Sequence, residues 1–124
     1  MNSAQIAKLK RKLQETRFQL CYDHPDFSLP LFEMTFVAVR NVRRMSTNGS
    51  CIFVDPGWLQ KMEEISVEFM MAHQLMHISL GHIDRPQYFQ GERYHLACDI
   101  VANSHLRDLG YKFDFLPGIG KIYY

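Results

Sequence analysis

The sequence predicts an α+β fold, with three main helices around a small antiparallel sheet. Three observations carry that expectation. Apolar residues recur at helical spacing near the N-terminus, in the middle and in the C-terminal third. Two runs rich in β-branched and aromatic residues flank the turn signal Ser46-Thr47-Asn48-Gly49. Gly81 and Gly110 stand where the second and third helical patterns stop.

Length and composition frame the elements. A chain of 124 residues, 47% hydrophobic and 22% charged, fills one compact core and is short for two, so a single domain over residues 1–124 is expected. Fourteen basic and 13 acidic side chains leave a net charge of +1, which argues against a nucleic-acid partner. The basic run Lys8, Lys10, Arg11 and Lys12 reads as the solvated face of a helix. Cys21, Cys51 and Cys98 are odd in number and lack CxxC spacing, so reduced thiols are expected rather than a disulfide framework or a cysteine metal site. No stretch reaches the roughly 18 apolar residues of a membrane helix, and Met1 to Leu20 is too charged for a signal peptide. The expectation is a cytoplasmic chain with no membrane partner.

The elements follow in order. From about Ser3 to Cys21, Ile6, Leu9, Leu13 and Leu20 fall near one helical face, with Ser3 available as cap. Tyr22 to Pro30 reads as a loop, because Asp23, Pro25, Asp26 and Ser28 are breakers, and His24 is expected to be exposed there. Phe32 to Val42 has strong β propensity and two apolar faces, which predicts a well-covered strand. Cys51 to Val54 is a second short strand, predicted to pair antiparallel with the first as a hairpin. Asp55 caps and Pro56 starts a brief helix anchored by Trp58, Leu59 and Met62. The next helix is predicted from a Ser66 cap to Gly81, followed by a polar connector from Asp84 to Gly91. A third long helix runs from about Glu92 to Leu109. The tail, Tyr111 to Tyr124, offers a strand at Lys121 to Tyr124 and is apolar enough from Phe113 onward to lie over a cleft.

The chemistry concentrates on two helices. His73 and His77, four residues apart in an apolar helix, project from one face within reach of a single ion. Burying two imidazoles without partners is costly, and a shared Zn2+ removes the cost; two core histidines satisfied by hydrogen bonds are the plainer alternative. His95, Asp99 and Asn103 form a polar stripe on the third long helix. An isolated Asp among Leu96, Ala97, Ile100 and Val101 is stabilised as a carboxylate beside a cation, so Asp99 is the expected third metal ligand. His95 competes for that role, and pairing of Asp99 with Arg85, Arg93 or Arg107 is the alternative without metal. His82, just past Gly81, is placed to turn back and orient the site, with His95 and Asn103 as further supporting residues. The metal site is thus expected between the second and third long helices.

The stretch from Ala72-His73-Gln74-Leu75-Met76-His77 to Gly81-His82, followed by Ala97-Cys98-Asp99-Ile100-Val101-Ala102-Asn103, resembles the bacterial metallopeptidase-like domain found ahead of von Willebrand factor A-like domains. It is also similar to the minimal zincins called minigluzincins. Ser46-Thr47-Asn48-Gly49 and Ile52 to Leu59 match the turn, strand and short Pro-initiated helix of that family, so the likeness spans roughly Phe27 to Leu109. The resemblance implies a small zincin-like fold, His73, His77 and Asp99 as zinc ligands, a peptide or protein substrate, and a catalytic role at position 74 as general base of an HExxH motif. Here that position is Gln74. A glutamine cannot accept the proton that the implied reaction removes from water, so a zinc peptidase is expected to be inactive as written. The alternative is a natural pseudoenzyme that binds a peptide or protein beside a zinc site. A purely structural metal, closed by His82 or His95, is a third reading. Tyr94 and Tyr111 are candidates to stabilise an oxyanion.

Overall fold

The computed structural model describes residues 2–84 and 91–124. The N-terminal helix, α1, spans Ser3–Asp23. Its cap is Asn2, one residue before the expected Ser3. The Asn2 side chain accepts from the Gln5 amide at 2.9 Å, and the Gln5 side chain accepts from the Asn2 amide at 2.9 Å, closing a reciprocal capping box. Thr16 and Leu20 form the buried stripe of α1, supported by Leu9 and Leu13.

The segment expected as a loop after α1 is largely helical. Pro25–Phe27 is a 3-10 turn and Ser28–Glu33 forms a short helix, α2. Pro25 sits in the first turn, where a missing N–H costs nothing, so a residue read as a breaker acts as a starter. Phe27 and Leu31 are buried by this arrangement. His24 is half-buried and stacks on Tyr111, with ring centroids 4.6 Å apart, instead of standing free in a loop.

The sheet has strands β1 (Thr35–Ala38), β2 (Met45–Thr47) and β3 (Cys51–Val54), in the order β1-β3-β2. It is mixed, which corrects the antiparallel expectation. The hairpin joins β2 to β3, with Met45 opposite Val54, while β1 runs parallel to β3 with Thr35 opposite Cys51. The cause lies between β1 and β2, where Asn41 (φ 71°) and Arg44 (φ 103°) reverse the chain in the left-handed region. That reversal and the β2-β3 turn together restore the original direction. In the turn, the Asn48 side chain accepts from the amides of Ser50 and Cys51 at 2.9 and 2.8 Å. Ile52 and Val54 of the central strand are buried, whereas β1 is a largely exposed edge rather than the covered strand expected.

The short helix α3 (Pro56–Lys61) starts as expected. The Asp55 carboxylate accepts from the amides of Gly57 and Trp58, with Pro56 in the first turn. Its last turn is closed from a distance: Lys12 donates from Nζ to the carbonyls of Leu59 and Met62. Lys12 therefore leaves the solvated face on which its neighbours Lys8, Lys10 and Arg11 are exposed.

The central helix, α4 (Glu64–Ser79), begins before Ser66, which is buried in the first turn instead of capping it. It packs against α1, β2 and the second long partner helix, α5 (Glu92–Asp108). Val67, Phe69, Met71 and Leu75 of α4 meet Leu20, Leu31, Ile52 and Leu106 in the core. The connector expected between α4 and α5 falls mainly on residues 85–90, outside the described residues, as does Arg85.

Beyond α5, β4 (Phe115–Leu116) and β5 (Gly120–Lys121) form a second small hairpin. Phe113, Leu116 and Ile122 join the core, so the tail is a packed part of the molecule. No helix among the described residues is long and apolar enough to cross a membrane.

Candidate metal centre

The helical repeat of α4 places His73 and His77 one above the other on the face turned toward α5. Their Nε2 atoms are 2.9 Å apart. Asp99, on the facing turn of α5, brings Oδ1 to 3.1 Å from His73 Nε2 and 3.0 Å from His77 Nε2. Two donors bound about 2.0–2.1 Å from one tetrahedral zinc ion lie roughly 3.3 Å apart, so this triangle fits such an ion with a small adjustment. The two imidazoles are nearly buried, while 51% of the Asp99 side chain remains accessible, leaving the cluster open on one side. Among the described residues, His73, His77 and Asp99 are the group of metal-ligating side chains close enough to share an ion. His95 is not in it; it is exposed on α5 with its ring 6.0 Å from that of Tyr94.

The orientation of each imidazole is set from behind. His73 donates from Nδ1 to Asn103 Oδ1 at 2.8 Å, and Asn103 Nδ2 donates to the carbonyl of Tyr123 at 3.0 Å. With Nδ1 protonated, His73 presents an Nε2 lone pair to the triangle. His77 Nδ1 lies 2.9 Å from His82 Nδ1. If His77 donates in this contact, its Nε2 lone pair also faces the triangle, and three acceptors confront one another with no proton between them.

His82 reaches this position because the chain turns sharply at the end of α4. Gly81 takes φ +73°, its amide bonds to the Ile78 carbonyl at 3.1 Å, and the His82 amide bonds to the His77 carbonyl at 3.0 Å. This is a Schellman motif, and it folds the residue after the glycine back over the helix end. Tyr94 donates to the His82 carbonyl at 2.6 Å, fixing the turn from α5.

Burial pushes the Asp99 carboxyl up, but when the facing His73 and His77 rings carry protons, their hydrogen bonds and charge outweigh it and hold the group well below the usual carboxylate range, and a metal ion in place of those protons supplies the same positive charge. Asp99 is thus a carboxylate at any ordinary pH, as a metal ligand must be. No arginine pairs with it among the described residues.

Gln74 lies on the wall of the same cleft, buried, and donates from Nε2 to the Met45 carbonyl of β2 at 3.2 Å. The cleft has a volume of about 580 Å³. Its floor is the His73, His77 and Asp99 cluster, and Ile119, Lys121, Ile122 and Tyr123 of the tail form part of its wall. Tyr94 lines it as well, whereas Tyr111 faces a different hollow and donates to Glu68 at 3.1 Å, away from the cluster. The tail, expected to lie over a cleft, forms part of the wall of this one, whereas Arg44 is a lining residue that sequence reasoning did not single out. Arg44 donates to the Ile119 carbonyl at 3.2 Å and ties β2 to the tail, a contact across 75 residues that leaves no local signal.

Searches of curated proteins and of solved structures each returned no match. The family model described as "Putative metallopeptidase domain" matches residues 8–118, which include α4, α5 and all three clustered side chains. The chain belongs to that metallopeptidase-like family.

Proposed function

We propose that His73, His77 and Asp99 hold one zinc ion and that the cleft is a peptidase site whose general base is replaced by Gln74. The observation that supports this most strongly is the donor triangle, with edges of 2.9, 3.0 and 3.1 Å. Three acceptors at that separation repel unless a cation or a shared ring proton lies among them, and one metal ion relieves all three contacts at once. Two imidazoles and one carboxylate are a donor set that zinc prefers, and an accessible side is what a catalytic rather than a closed structural site requires. Neither His82 nor His95 completes a fourth vertex.

When bound, zinc supplies a Lewis acid that polarises a peptide carbonyl and acidifies a water molecule. The chain's own part is orientation and proton handling. Asn103 and His82 fix the two rings, and Asp99 contributes the balancing negative charge. Gln74 occupies the position that the resemblance gives to the proton acceptor, and its amide takes up no proton at neutral pH. The contribution of a general base, about 10²- to 10⁴-fold, is therefore missing.

A second reading is favoured by one contact. The Gln74 amide donates to Met45, a bond that an ionised glutamate cannot make, so the glutamine is integrated with β2 as in a binding module that holds peptide without cutting it. The experiment compares the chain with Gln74→Glu in a fluorogenic peptide cleavage assay. Chelator-sensitive hydrolysis appearing only in Gln74→Glu supports the peptidase reading. A fully zinc-loaded Gln74→Glu without hydrolysis supports the binding module.

A further inference from the structure

We propose that the cleft selects peptides that carry a carboxylate, with Arg43, Arg44 and Lys121 as the specificity-determining residues; this rests on reading the cleft as a peptide site. Among the described residues, the cleft has four formally charged lining side chains, and three are cations: Arg43, Arg44 and Lys121. The fourth, Asp99, is committed to His73 and His77. Basic and acidic residues are almost equal over the whole chain, 14 against 13, so this excess belongs to the cleft and not to the composition.

The cations are also gathered. The Arg44 guanidinium donates to the Ile119 carbonyl at 3.2 Å, which brings the start of β2 against the tail two residues before Lys121. None of the three lies within ion-pair distance of a carboxylate among the described residues. Lys121 instead rests over the Tyr123 ring, 5.5 Å from its centroid.

Arg44 carries a further mark. Its φ of 103° is costly for a residue with a Cβ, and glycine would fit there without strain. Its carbonyl accepts from the Asp55 amide at 2.9 Å, so the strained conformation is held on both sides. Strain retained at a charged residue that lines a cleft is the pattern of a functional constraint. A guanidinium pair and an ammonium group match a carboxylate in charge and in hydrogen-bond geometry. That carboxylate has two sources in a peptide, an acidic side chain or the free C-terminus.

The test uses the zinc-treated chain and labelled peptides in fluorescence anisotropy. One peptide has two glutamates and an amidated C-terminus, a second has glutamines in their place, a third has lysines, and a fourth is the glutamine peptide with a free C-terminal carboxylate. The glutamate or the free-carboxylate peptide is expected to bind about tenfold more tightly than the amidated glutamine peptide. Which of the two gains identifies the source. The preference is expected to shrink as salt is raised. Arg43→Gln with Lys121→Gln should reduce it roughly threefold to fivefold with zinc content unchanged. Arg44→Gly, which relieves the backbone while removing the guanidinium, should reduce it similarly. Equal binding of all four peptides, preference for the lysine peptide, or no measurable binding overturns the proposal. Zinc content of the same samples separates the two readings: preference without zinc defeats the metal assignment alone, and zinc without preference defeats the carboxylate assignment alone.

Discussion

His73 donates from Nδ1 to Asn103 Oδ1 at 2.8 Å, and this bond begins a chain of contacts that couples α4 through α5 to the tail. Asn103 is buried, and its amide donates to the Tyr123 carbonyl at 3.0 Å, so one side chain serves the imidazole and the tail at once. Supporting bonds of this kind typically carry ten- to a hundredfold in metal affinity. Asn103→Ala is expected to weaken zinc binding by that factor and to cost about 1–3 kcal/mol of stability, through the buried donor left on His73 and the Tyr123 carbonyl left without its partner. A competition titration against a chromophoric chelator, beside a urea melt, measures both.

The bond from Gln74 to Met45 makes the restored base a compromise. A carboxylate at position 74, in the same rotamer, would set an acceptor against the Met45 carbonyl in a buried site. Gln74→Glu is expected to lower stability of the metal-free protein by about 1–3 kcal/mol at pH 8. The loss should be smaller at pH 5, where a buried glutamate is more readily protonated and can donate to Met45. Thermal melts of both proteins at the two pH values check this, and an equal loss at both would contradict it.

Glu68 gives the fold a pH dependence of its own. Burial raises its pKa from 4.5 to about 7, helped by the Asp23 and Glu64 carboxylates and opposed by the hydrogen bond from Tyr111. A folded-state value above the unfolded one means that the native protein holds the proton more tightly. This stability is complete below pH 4.5, falls as pH rises toward 7 and is gone above it. With partial solvent screening of the site, the change is on the order of 1–3 kcal/mol. Glu68→Gln, which keeps an acceptor for Tyr111, should flatten the difference between urea melts at pH 5 and pH 8 and be the more stable protein at pH 8.

Gly118 holds the tail hairpin in place. It takes φ +75°, and a Cβ there would meet the Met62 sulfur at 1.8 Å. Gly118→Ala is expected to cost about 1–2 kcal/mol and to raise amide hydrogen exchange across Phe115 to Ile122, because a residue with a Cβ is strained at that φ and the Met62 side chain must swing aside. Since Phe113, Leu116 and Ile122 are buried with the core, truncation at Gly110 should unfold the protein rather than simply open the cleft.

What the sequence revealed follows from which contacts are local. The pairing of His73 with His77 and the stripe of Asp99 and Asn103 are helical spacings, readable wherever a strongly periodic helix is recognised, and the structure brings these residues together. The Asp55 cap, the Gly81 turn and the placement of His82 are equally local. The parallel pairing of β1 was not legible, because it depends on left-handed conformations at Asn41 and Arg44, and Arg44 is a residue type that rarely signals one. Lys12 closing α3 from 47 residues away and Gln74 donating to Met45 from 29 residues away are tertiary choices with no pattern in the chain. The 3-10 turn at Pro25 was missed for another reason: proline marks a helix start as readily as a break.

The direct measurement is metal content by mass spectrometry of freshly purified protein at neutral pH, beside His73→Ala, His77→Ala and Asp99→Ala, with circular dichroism to verify folding. The account predicts about one zinc per chain, and loss of most of that metal in each folded variant. Folded protein without metal after zinc exposure and dialysis, or variants that keep full occupancy, would contradict it.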